Sequence, residues 1–225
     1  MSTTSPQLAD IPDLLRCETT STDEILARAS ERTEAAYPHD LVYGDFCTIQ
    51  DYIDCPPEEV FDYLCNINNL DEYTVSTRGF APTATPDLYV GRDTLAPDTK
   101  IYMTLKPNRE ALTLDYHCAW DQGEELWMIY LFRIVPAQQV LGKPGSVVIW
   151  SNCHHPNYDK NPYPELAPSP DRIWVGDLWP LFYAGHRIEL DNLKTILEYR
   201  HSNGLPISVA PAPEATPKTG PEAAR

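Results

Sequence analysis

The residue with the most chemistry in this sequence is His186. It lies in WPLFYAGHRIELDNLKTILEY (residues 179–199), where Phe182, His186, Leu190, Leu193 and Leu197 recur at helical spacing. An imidazole in an otherwise apolar stripe faces a core or a cavity. Burial moves its pKa through neutrality, which suits general acid/base work on an enolisable ligand. The plainer alternative is a core histidine hydrogen-bonded to a strand group. Two more groups come from the strands. Cys153-His154-His155 closes the last strand, and adjacent histidines there point opposite ways. If Val148, Trp150 and Asn152 face inward, His154 does too. In the other phase, His155 is turned by Pro156.

Tyr116, Tyr130, Trp150 and Asn152 are the strand residues expected to line a cavity. Tyrosine joins apolar area to a hydroxyl that donates to a carbonyl or enolate, and Asn152 would orient a ligand carbonyl. Phe182 and Leu190 from the helix, with Met103 from the apolar face of its strand, complete the expected lining. Each of these is also an ordinary amphipathic core residue when taken alone. His117, in DYHCAW, is out of phase with Leu112, Leu114 and Tyr116, so it should share the outer face with Asp115. In the opposite phase, His117, His154 and His186 would offer three imidazole ligands suited to zinc, iron or copper. No spacing motif supports that set, so no metal and no other cofactor is expected. Arg133 is in phase with Trp127, Ile129 and Leu131 and should face outward to a carboxylate. The directions of Arg78 and Arg92 are not fixed by pattern.

These groups need elements to position them. Ser21-Thr22-Asp23-Glu24 is a capping-box start for a helix to about residue 36, with Ile25, Leu26 and Ala29 on a weak apolar face. That helix either packs outside the domain or makes a homodimer contact. DFCTIQDYID (45–54) reads as a strand. Pro56-Pro57-Glu58-Glu59 then opens a short helix that buries Val60, Phe61 and Leu64, and a further turn follows over 68–73. From residue 75 the period becomes two, with strands at 75–81, 88–95, 100–106, 110–120, 126–136 and 145–153 separated by turn residues. Six consecutive strands on short turns make an antiparallel meander. Residues 154–178 are Pro-rich and irregular, and a loop of that length in a compact domain is functional or mobile. Helix 179–199 follows, with Pro180 in its first turn and Gly204 and Pro206 beyond its end.

Composition narrows the classes. The chain has 225 residues, which suits one domain with extensions, and a net charge of −16. An acidic chain is repelled by phosphate backbones, so nucleic acid is not an expected partner. No run of about 18 apolar residues is present, so no membrane span is expected. The N-terminal stretch lacks a basic start and an apolar segment, which argues against a secretory signal and for a cytoplasmic protein. The six cysteines form no CxxC pair and read as buried thiols, with no disulfide or zinc knuckle. There is no GxGxxG, P-loop, GxSxG or HExxH motif.

The stretch CPPEEVFDYLCNINNLDEY resembles the entry motif of the START-like (SRPBCC, Bet v 1-like) superfamily, and AGHRIELDNLKTILEY resembles its closing helix. The resemblance covers roughly residues 42–203. Departures are the extra N-terminal helix, the 154–178 insert, and Tyr73 where the family often has tryptophan. It implies an α+β helix-grip fold, a curved antiparallel sheet of about seven strands wrapped around a long C-terminal helix over a deep apolar cavity. Together with the residue pattern, the expected organisation is a disordered start (1–21), a helical extension (22–41), the helix-grip domain (42–203) with 154–178 as a lid, and a disordered Pro/Ala-rich tail (204–225).

Members of that superfamily bind lipids, steroids or polyketides, and some are cyclases and aromatases, so fold leaves activity open. The expected function is a polyketide cyclase or aromatase of secondary metabolism, acting on a hydrophobic small molecule. His186, Tyr116 and Tyr130 would be catalytic in it. Its rivals are a non-catalytic lipid, sterol or pigment carrier and a metal-dependent enzyme in the same cavity.

Overall fold

The computed structural model describes residues 8, 11, 14–36, 44–96 and 98–208. Helix α1 spans Thr22–Ala36, and the Ser21 hydroxyl accepts the Glu24 amide at 3.2 Å as its cap. Strand β1 is Phe46–Ile53. Helix α2, Pro57–Cys65, begins on prolines whose missing amide protons cost nothing in a first turn, and it buries Val60, Phe61, Tyr63 and Leu64. A 3₁₀ turn, Ile67–Asn69, leads into the single-turn helix α3, Leu70–Tyr73. The meander follows as β2 Thr77–Pro82, β3 Tyr89–Asp93, β4 Thr99–Asn108, β5 Thr113–Trp120, β6 Met128–Pro136 and β7 Ser146–Cys153. Helix α4, Ala137–Val140, lies between the last two. The last helix, α5, is Phe182–Ser202.

All seven strands form one antiparallel sheet in the order β1-β7-β6-β5-β4-β3-β2. Alternation decides its faces. Met128, Phe132 and Ile134 of β6 are buried while Ile129, Leu131 and Arg133 are exposed. Val148, Trp150 and Asn152 of β7 face inward with Leu114, Tyr116 and Cys118 of β5. In β2 the register shifts between Arg78 and Ala81. Gly79 supplies the positive φ of +69° that the bulge needs, and its amide donates to the Asp71 carboxylate at 2.8 Å.

Helix α5 is 21 residues, roughly 30 Å, and lies across the concave face. That is the helix-grip arrangement expected from the sequence. Its far end is locked by Arg200, which donates to both Glu72 oxygens at 2.8 and 3.0 Å, while Tyr63 donates to the same carboxylate at 2.6 Å. Leu190, Leu193 and Leu197 are fully buried in the main core.

Several details differ from the sequence reading. Helix α5 begins at Phe182. The preceding Val175–Leu181 is a 3₁₀ helix containing Pro180, started by the Asp177 carboxylate accepting the Trp174 amide at 3.0 Å. The 154–178 segment is tied down. Arg172 donates to both Asp121 oxygens at 2.7 and 2.6 Å, and the Trp174 indole donates to the Asn157 carbonyl at 2.9 Å. Residues 14–18, read as part of a disordered start, are also held. The Asn192 amide group bonds Leu15, Arg16 donates to the Asp71 carbonyl at 2.6 Å, and Glu18 pairs with Arg78. Helix α1 rests on its own chain, with Ile25 and Ala29 packed against Val75, Ala184 and Ile188. The rest of the expected disordered tail, beyond 208, lies outside the described residues. No helix among the described residues is long and apolar enough to cross a membrane.

Candidate active site

Between α5 and the sheet lies a mainly apolar cavity of about 160 Å³. That is comparable to buried cavities that admit one aromatic ring and below the about 300–1,000 Å³ of sites for drug-sized ligands. Its floor is cross-strand rows of the sheet. Met103, Cys118 and Met128 are register partners, as are Ile101 and Trp120, and Tyr116 and Tyr130. Its roof is Phe182, Gly185, His186 and Glu189 of α5. Residues 73–77 and Asp93 form one side, and Val175, Leu178 and Leu181 another. Ile25, Leu26 and Ala29 of α1 line its remaining side.

His186 is wrapped in rings. It stacks on Trp150 at 4.7 Å and meets Tyr130 and Phe182 edge-on at 5.3 and 5.0 Å, yet keeps surface toward the cavity. Its Nδ1 lies 3.9 Å from Cys47 Sγ. Burial without a compensating charge lowers its pKa to about 3. Burial pushes the Cys47 thiol up to about 12. At neutral pH both are therefore uncharged. The imidazole is a dipole that exchanges hydrogen bonds and a weak proton acceptor.

The group that titrates in the useful range is Glu189, one helical turn on from His186. Burial raises its pKa to about 7, with a smaller push from Asp93 and with opposing effects from the Val75 amide and Arg78. Oε1 accepts the Val75 N–H at 2.9 Å. Asp93 is itself buried on the cavity side and raised by burial, while the Leu95 amide, donating to Oδ1 at 3.0 Å, pulls it down. Two carboxyl groups in one low-dielectric space hold their protons more tightly than in water. Arg78 limits that effect from a fixed seat on Glu18 and the carbonyls of Thr74, Val75 and Thr77.

The sequence-derived residues divide into two groups. His186, Tyr116, Tyr130, Trp150, Phe182 and Met103 all line the cavity. The Tyr116 hydroxyl, however, spends its proton on the Leu64 carbonyl at 2.6 Å and receives the Tyr73 hydroxyl at 3.4 Å. The Tyr130 hydroxyl interacts with that of Tyr158. Leu190, Asn152 and His154 are not in the lining. Leu190 is core. Asn152 is buried, and neither its amide nor the Tyr158 hydroxyl has a well-formed hydrogen bond among the described residues. His154 lies past the end of β7, where its amide turns to the Asp45 carbonyl and its ring packs on Trp179 and Tyr158. The strand phase that pointed it inward stops one residue earlier.

His117 is on the outer face opposite Thr104 and Ile129. His117, His154 and His186 therefore do not converge, and the three-imidazole alternative has no geometric basis. Arg133 and Arg92 are exposed. Glu189 and Asp93 were missed by pattern. Glu189 was visible as a carboxylate three residues from His186 and four from Leu193, on the same stripe.

The class that fold and site define is a helix-grip domain with a mainly apolar, partly open cavity bearing a near-neutral carboxyl. No family model matches the sequence, and no curated protein matches it. Among solved structures, it is similar to the Zhui aromatase/cyclase from Streptomyces sp. R1128, at 9% identity and a TM-score of 0.49 over 69% of this chain and 94% of that one. It is also similar to a START superfamily protein from Mycobacterium smegmatis (11%, 0.48, 69% and 99%) and to the Aha1 dimer from Colwellia psychrerythraea (12%, 0.46, 68% and 96%). Similarity at this level carries no argument by itself. The helix-grip assignment rests on the strand order and the helix laid across it.

Proposed function

We propose that this protein is an enzyme of the cyclase/aromatase type, which closes or dehydrates a ring in a small, largely apolar, enolisable ketone. The observation that carries the reading is Glu189, a carboxyl with a pKa of about 7 on the roof of an apolar cavity. A general base or acid is most effective when its pKa is near the working pH. A carrier of apolar ligands has no need of such a group and loses stability by burying it.

In this reading Glu189 takes a proton from the carbon next to a carbonyl. The enolate attacks a second carbonyl, a C–C bond forms, and the alkoxide takes a proton back from Glu189. Loss of water then needs a second α-proton, removed by Glu189, and departure of the hydroxyl as water with that proton. Tyr130 donates to the enolate oxygen. His186, neutral and stacked on Trp150, positions the ring and exchanges a hydrogen bond without carrying charge. The volume favours a compact ring precursor over a long-chain lipid or sterol. Helix α1 and the 175–181 segment, which form walls of the cavity, exclude water.

The test is turnover of a soluble linear triketone by wild type, Glu189→Gln and His186→Phe, with binding followed by Trp fluorescence. Glu189→Gln should retain binding and lose about 10²–10⁴-fold in kcat. Undiminished turnover in Glu189→Gln removes the acid/base role. Binding with no turnover by wild type favours the carrier.

A further inference from the structure

At the opposite end of α5 from the cavity, three side chains of metal-binding type meet. Cys55 stands at the junction of β1 and α2, Glu59 in the first turn of α2, and His201 in the last turn of α5. Cys55 Sγ is 3.8 Å from Glu59 Oε2, and His201 Nδ1 is 3.8 Å from the same oxygen. The three ligand atoms all lie within 4.8 Å of one another. A tetrahedral zinc ion with bonds of about 2.0–2.3 Å spaces its ligand atoms about 3.3–3.8 Å apart. His201 is fifteen residues from His186, roughly 22 Å along the helix, so this place is separate from the cavity.

We propose that Cys55, Glu59 and His201 form a binding site for a zinc-class divalent cation that ties the end of α5 to the β1–α2 junction. A sulfur, a nitrogen and a carboxylate oxygen make a borderline-soft donor set that suits zinc, and hard cations such as magnesium much less. The charge around the site has the right sign. After burial, the largest influences on the Cys55 thiol come from the carboxylates of Glu59, Asp54 and Glu198. Together with burial they hold the thiol protonated, and the same field attracts a cation. Lys194 lies 3.9 Å from Glu198 and also pairs with Asp51 at 3.0 Å. On coordination the S–H bond breaks, a sulfur–metal bond forms from the thiolate, and the proton leaves to solvent. No electron is transferred.

The experiment uses the full-length, untagged chain stripped with EDTA. Zinc is titrated by calorimetry, cobalt(II) by absorption, and the thermal midpoint is followed with each. One equivalent of zinc, a raised midpoint, and a thiolate-to-cobalt charge-transfer band are expected. His201→Ala and Glu59→Gln change exposed or half-exposed side chains and should keep the fold while weakening zinc at least about tenfold. Glu189→Gln should bind zinc as wild type does, which separates this site from the cavity. The proposal is overturned by no zinc binding, by affinity unchanged in both variants, or by cobalt bound without a thiolate band.

Discussion

Glu189 Oε1 accepts the backbone N–H of Val75 at 2.9 Å, and no other hydrogen bond reaches that carboxyl among the described residues. One oxygen is thereby fixed to the segment that enters β2, and the carboxyl is held at the cavity wall. An anchored carboxyl that still titrates near neutrality is a defined geometry for proton transfer, and its titration can be read in stability as well as in rate.

The folded-state pKa of Glu189 is raised, from 4.5 to about 7. Its contribution is therefore fully present below pH 4.5 and is lost as pH rises toward 7, by up to about 3 kcal/mol. Glu189→Gln should be as stable as wild type at pH 4 and more stable at pH 8, by urea denaturation. The pH dependence of wild-type kcat should carry a midpoint near 7 that disappears in the variant.

His186 has the opposite sign. Its folded pKa is depressed to about 3 from 6.5, so its stabilising contribution is present above 6.5 and is lost as pH falls toward 3. The ¹H–¹⁵N spectrum of its ring should show a neutral imidazole from pH 8 down to 5. A titration midpoint between 6 and 7 would return His186 to the acid/base role that its place in the sequence suggested.

The Arg200–Glu72–Tyr63 cluster is a buried charge pair with both carboxylate oxygens occupied. Glu72→Ala leaves Arg200 buried and unpaired and should destabilise by about 3–5 kcal/mol in equilibrium denaturation. A loss under about 1 kcal/mol would mean that Arg200 finds water instead.

Two glycines make a matched pair. A Cβ on Gly176 would sit 1.6 Å from the Tyr158 carbonyl oxygen, whereas one on Gly185 meets nothing within 4 Å. Gly176→Ala should undock the 3₁₀ segment, lower stability by more than about 2 kcal/mol and speed amide exchange around Trp174. Gly185→Ala should stabilise α5 by about 1 kcal/mol while weakening ligand binding, because the new methyl enters the cavity.

The elements were legible because their signals are local. Pro57 with Glu58 and Glu59 marks a helix start, and alternation along β4, β5 and β6 sorts inner from outer faces. Individual cavity residues were less legible. Tyr116 faces inward as its phase requires, but where its hydroxyl goes is decided by the Leu64 carbonyl, 52 residues away in the chain. His154 follows the phase of Asn152 only if β7 continues, and the chain leaves the sheet at Cys153. Glu189 and Leu190 are adjacent, and both fit a helical stripe through Phe182 and His186. A sequence pattern favours the leucine, while the packing of α1 and residues 73–77 turns the glutamate to the cavity. The weak stripe of α1 concealed its part as a wall, because Ile25, Leu26 and Ala29 cover a small opening and make no full core face.

The pairing of β1 with β7 has a consequence for how the molecule is made. Phe46 and Cys153 are register partners, although about a hundred residues separate them in the chain. During synthesis β1 emerges early and waits, with its edge open, while the meander assembles strand by strand from β2. The sheet is complete only when β7 pairs with β1, and α5 follows β7 in the chain. Such late, long-range closure carries a large loop entropy and slows folding. An exposed β1 edge over that interval is the point at which a nascent chain is open to strand exchange with a neighbour.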